Sequence, residues 1–192
     1  MRSSGKPARS GAAHADGTGR PDEVHVWDLV VRLAHWPLVV AVVATWFTRH
    51  AGAWHEWIGY FALGVVALRV VWGIVGTRHA RFADFVRAPS ATATYARQVI
   101  GRNEPRYLGH NPLGGWMVVC LLGAVFLSGF TGWLYTTDRF WGVEWVETMH
   151  RVSAYALYGL AALHVAGVVF TSLRHGENLV AAMITGRKRA QP

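Results

Sequence analysis

Ten histidines and a single cysteine in 192 residues confine any metal chemistry to imidazole. Cys120 alone cannot form an internal disulfide, a cysteine zinc site, an iron–sulfur cluster or a covalent C-x-x-C-H haem attachment. Four histidines stand out by spacing: His35, His55, His150 and His164. The last two are fourteen residues apart, which on a helix is roughly 40° short of four full turns and about 21 Å of rise. Two imidazoles therefore project from nearly one face, at two depths. His14 and His25, near the N-terminus, and His79, His110 and His175, in polar flanks, read as solvated or head-group histidines.

The elements that must position these rings are apolar. Val30–Phe47, Trp57–Val75, Leu113–Tyr135 and Val152–Ser172 run for 18, 19, 23 and 21 residues, close to the roughly 20 helical residues that cross a hydrocarbon core of about 30 Å. The third holds no charge, and the others hold only Arg32, His35, Arg69 and His164 as basic groups and no acid. A water-soluble bundle would show a polar outer face. The expected fold is thus all-α, a four-transmembrane-helix bundle over residues 25–184, preceded by a disordered tail at 1–24 and followed by a basic tail at 185–192.

Lys and Arg set the orientation. Residues 1–29 hold four, 76–111 six and the segment from Leu173 four, against one in 48–56 and two in 136–151. Both termini and the long middle loop are expected in the cytoplasm. The net charge of +8 is then explained by topology and anionic head groups, and a nucleic-acid partner is excluded. An interfacial helix is expected at Ser90–Ile100 with Ser90 as N-cap, and the third span should begin at Asn111 and Pro112, a cap followed by proline.

With the first span running outward and the second back, His35 lies thirteen residues deeper than His55, or about 20 Å. That matches the spacing of His150 and His164. His35 can face His164 at an inner level, and His55 can face His150 at an outer level. Two opposed imidazoles suit the axial positions of a six-coordinate haem iron, which then transfers electrons and offers no open site. Taken singly, each histidine could instead satisfy a helix end or pack against a tryptophan. His50 is the rival to His55.

Arg69 lies fourteen residues after His55, at the inner depth, where a buried guanidinium requires an anion; a haem propionate would serve. Arg32 could pair in the same way or reach the head groups. Arg49 and Arg151 are the candidates at the outer level. Gly59 follows His55 by one turn and would let a flat cofactor approach the backbone. Ala124, Ser128 and Gly132 form a small-residue stripe for close packing.

R-L-A-H-W around His35, H-E-W-I-G-Y from His55, L-R-V-V-W-G-I-V-G from Leu68, G-H-N-P-L-G-G from Gly109, and M-H-R-V-S-A-Y with L-H-V-A between Met149 and Ala166 resemble the bacterial cytochrome b561 and nickel–iron hydrogenase b-type cytochrome group. The likeness spans roughly Val24 to Ile184. It implies a multi-pass protein of the bacterial inner membrane with two non-covalent haems b, axially held by His35 with His164 and by His55 with His150. It further implies electron relay between the quinone pool, ubiquinone or menaquinone, and a partner dehydrogenase, hydrogenase, reductase or cytochrome c. Two other functions fit the residues: a stand-alone oxidoreductase passing electrons between superoxide or another small oxidant and quinone, and a haem-free transporter or scaffold whose histidines bind zinc or copper.

Overall fold

The computed structural model describes residues 23–190. Four long helices form the bundle: α1 (Leu29–Thr48), α2 (Ala53–Val75), α5 (Pro112–Tyr135) and α6 (Glu144–His175). All four are long and apolar enough to cross a membrane, and in hydrocarbon only a helix satisfies every backbone group within one segment. Large apolar side chains such as Leu33, Phe47, Trp57, Val71 and Val165 face outward, which is costly in water and suits lipid. At 32 residues, α6 rises about 48 Å and emerges from the core at both ends, so His150 lies in its second turn.

The ends of the helices are chemically marked. Asp28 caps α1 by accepting from Val31 N at 2.9 Å and from Trp72 Nε1 at 3.0 Å, tying the start of α1 to the end of α2. Asn111 caps α5 through Gly114 N at 2.7 Å, with Pro112 at the first helical position. Gly176, with φ of +61°, closes α6 in the left-handed conformation.

The middle loop carries α3 (Phe82–Phe85) and α4 (Pro89–Ile100). Ser90 does not cap α4: Pro89 takes the first turn and Ala88 the cap position, with no side-chain bond, because proline's fixed φ starts the helix one residue earlier. After α6 come α7 (Leu179–Thr185) and a strand, β2 (Arg187–Arg189), which pairs antiparallel with β1 (Glu23–His25). Both strands fall at or inside the expected tails, 1–24 and 185–192, and the structure orders these segments instead. Three-residue strands have no periodicity to detect, and this pair is held by tertiary contacts. Gly186 O accepts from Val26 N at 2.9 Å and Trp27 N at 3.1 Å, while Glu177 pairs with Arg106 and, at 3.1 Å, with Lys188. The rest of the N-terminal tail lies outside the described residues.

α5 packs along α6 and α2, and α1 along α2, whereas α6 makes no comparable backbone approach to α1 or α2. An apolar cluster of Ala41, Ala62, Val66, Val125 and Leu157 fills the middle of the bundle. Leu157 is midway between His150 and His164, so this plug separates two levels at which α6 faces α1 and α2 without close backbone approach.

Candidate functional site

At the outer level, α2 presents His55 from its first turn and α6 presents His150 opposite; the ring centroids are 6.1 Å apart and the planes cross at 89°. His150 Nδ1 lies 2.9 Å from the carbonyl of Ser128 on α5. A carbonyl only accepts, so Nδ1 carries the proton and Nε2 keeps its lone pair. Thr48 Oγ1 donates to Ala44 O at 2.8 Å, leaving it to accept from His55 Nδ1 at 3.4 Å. Both outer imidazoles are thereby oriented with Nε2 free, as a ligating histidine is held by its other nitrogen. Gly132 makes room: a Cβ there would stand 3.0 Å from His150 Cε1.

At the inner level, His35 on α1 and His164 on α6 have centroids 6.4 Å apart and planes crossed at 71°. His35 also meets Trp36 edge-on at 5.2 Å.

These separations are informative. A metal–imidazole bond is about 2.0 Å and an imidazole nitrogen lies about 1.1 Å from its ring centroid, so two imidazoles on opposite sides of one metal sit about 6.2 Å apart. Direct ring stacking would be closer, and neither pair is hydrogen-bonded to itself. Among the described residues no three His, Cys, Asp or Glu side chains cluster into a metal site. Paired donors without a third suit the two axial positions of a haem iron better than zinc, which takes four ligands.

Arg69 is buried at 6% exposure. Its Nη2 donates to Ala80 O at 3.1 Å, its guanidinium lies over Phe82 at 5.1 Å, and Nη1 has no partner. Arg32 Nη2 donates to the carbonyl of Ile184, and its Nε is unpartnered. At the outer level Arg49 turns to Trp46 O at 2.7 Å and Arg151 to Glu147 at 3.3 Å, so local partners occupy both. His50 is exposed. A Cβ at Gly59 would meet nothing within 4 Å, whereas one at Gly129, beside the small-residue stripe, would meet Leu63 at 2.7 Å.

One residue overturns its sequence reading. His110, expected among the solvated flanks, is enclosed between Trp27 and Phe85, each with ring centroids 4.6 Å away. Burial, and after it the Arg69 charge, push its imidazole down to about 3, so it is neutral at physiological pH. The available signal was its place between Gly109 and the Asn111 cap, which fixes the ring at the mouth of the bundle.

The family model for prokaryotic cytochrome b561 matches residues 26–186, a range that includes both histidine pairs, Arg32, Arg69 and His110. No curated protein and no solved structure matches the chain. The matched range takes in all four apolar helices and most of the described chain; the chain belongs to the prokaryotic cytochrome b561 family, as a multi-pass membrane b-type cytochrome of electron transfer.

Proposed function

We propose that the chain binds two haems b, the inner held by His35 and His164 and the outer by His55 and His150, and relays electrons between the quinone pool and a partner redox protein. The carrying observation is the pair of facing imidazole couples, 6.4 Å and 6.1 Å between centroids, separated by the apolar plug around Leu157. Bound haem supplies reversible one-electron chemistry at each level. The chain's own part is to present an imidazole nitrogen on each side, to fix the outer rings through Ser128 O and Thr48 Oγ1, and to keep water out of the interval between the two levels. Both termini and the 76–111 loop lie on the cytoplasmic side in this reading, by the Lys and Arg distribution. Arg69 and Arg32 offer positive charge to the propionates of the inner haem.

The test is a reduced-minus-oxidised spectrum with haem quantitation on wild type, His35→Ala and His150→Ala. Each variant should lose one haem, and a different one. Full haem content in both variants ends the assignment.

A further inference from the structure

Four buried side-chain nitrogens have no hydrogen-bond partner among the described residues: Arg32 Nε, Trp36 Nε1, Arg69 Nη1 and His110 Nδ1. Among the described residues no orphaned side-chain atom occurs at the outer level. These four come from three parts of the chain, the first two turns of α1, the inner half of α2 and the residue before the α5 cap. The antiparallel course of the helices brings all three to the same end of the bundle. Arg32 Nε, Trp36 Nε1 and Arg69 Nη1 can only donate, and His110 Nδ1 donates in one of its two neutral tautomers; buried donors without acceptors are destabilising, and their gathering at one end points to acceptors that the polypeptide does not provide.

The carboxylates that could have served are committed elsewhere. Asp28 accepts from Val31 N, Trp72 Nε1 and Thr77 Oγ1. Glu177 is held by Arg106 and Lys188, Glu104 by Arg174, Asp84 by Arg81 and Glu23 by Arg187. No acid of the described residues at this end hydrogen-bonds to Arg69 or His110; Asp28 acts on Arg69 only through its charge.

We propose that His110 and Trp36 complete, with Arg32 and Arg69, a cage of nitrogen donors that binds the propionate carboxylates of the inner haem, and that His110 thereby raises the potential of that haem. The inference rests on the two-haem reading above. His110 is placed for this role by geometry. Its ring is clamped by Trp27 and Phe85, and Phe85 is packed against Phe82, the ring under Arg69. It also lies within electrostatic reach of Arg69, His164, Lys188 and His35. Trp36 adjoins His35 and carries one N–H, which can only donate. A neutral His110 donates from one nitrogen without adding charge, so its hydrogen bond can be separated from a charge effect.

The sign follows from electrostatics. Propionate charge opposes the arrival of an electron on the iron, and a donor that draws that charge away favours the reduced state. Potentiometric titration of purified protein, with the inner haem identified by its absence in His35→Ala, reads this directly. His110→Leu should lower the inner reduction equilibrium constant about three- to tenfold, tenfold being about 59 mV for one electron, with both haems present and the outer potential unchanged. His110→Gln keeps an N–H donor and should recover more than half of the shift. The propionate bending band in resonance Raman should move in His110→Leu and return in His110→Gln. Should His110→Leu fail to accumulate, Trp36→Phe removes one donor while keeping a ring, and should lower the same potential.

An inner potential and a propionate band identical to wild type in His110→Leu, or in Trp36→Phe where that variant stands in, overturn the cage. A wild-type protein lacking two low-spin haems would overturn the two-haem reading instead, and spectra on the unmutated chain separate those failures.

Discussion

His150 donates from Nδ1 to the backbone carbonyl of Ser128 across the α5–α6 interface at 2.9 Å. Because the acceptor is main chain, no side-chain replacement at Ser128 removes it, and the orientation of the ring depends on how closely the helices approach. Gly132 controls that approach from one turn further along α5. Even one carbon there would stand 3.0 Å from the ring, and overpacking of this kind costs about 1–3 kcal/mol. With two haems bound as proposed, Gly132→Val should push the imidazole off its bond and reduce total haem to about half of wild type, with the inner potential retained. Haem quantitation beside a redox titration checks it; two full-strength haems would contradict it.

The planes of the facing rings cross at 71° at the inner level and 89° at the outer. Crossed imidazole planes on ferric iron leave its d-orbitals nearly balanced, and axial ligation sets the iron's electronic state. With two haems bound as proposed, both should give strongly anisotropic low-spin EPR signals dominated by one large g feature, the outer more extreme than the inner. Two ordinary rhombic low-spin signals would show that the rings turn on binding.

The spans and the depths of the four histidines were legible because a membrane helix has one rise per residue and few alternatives. Counting thirteen and fourteen residues therefore becomes a height. His110 was not legible, since its burial depends on Trp27 and Phe85, 83 and 25 residues away in the chain. The orienting bond from His150 was equally hidden, because its acceptor is a carbonyl, which every residue has. Arg69 showed its depth but not its partners: Ala80 O and the Phe82 ring come from the loop and the short helix after α2. The strands could not be read from E-V-H and R-K-R, whose pairing is decided by Gly186 and Glu177.

Gly186 has φ of +82°, and a Cβ there would stand 2.6 Å from the carbonyl oxygen of Trp27. Gly186→Ala meets both the left-handed penalty, about 1–2 kcal/mol, and a backbone that cannot step aside. The β1–β2 pairing should loosen by about fivefold to thirtyfold for that energy alone, seen as faster amide exchange at the strands than in wild type. The helices should keep their protection. Unchanged exchange at β1 and β2 would mean the strand pair is held by its ion pairs and not by this turn.

Those ion pairs give the strand pair a pH response. Burial of the Glu177 carboxyl works to raise its pKa, but the Arg106 hydrogen bond and the Lys188 charge outweigh it and hold it below 4.5. A depressed carboxylate contributes stability that is fully present above its unfolded value and is lost as pH falls through its folded value. The strand pair should therefore be insensitive to pH from neutrality down to about 4.5 and open progressively below it, read as rising amide exchange at β2. Glu177→Gln should start more open and lose that acid dependence, because its amide cannot be protonated in this range. If the variant kept the same acid midpoint as wild type, another carboxylate, with Glu104 beside Arg174 the first to replace, would be the group that titrates.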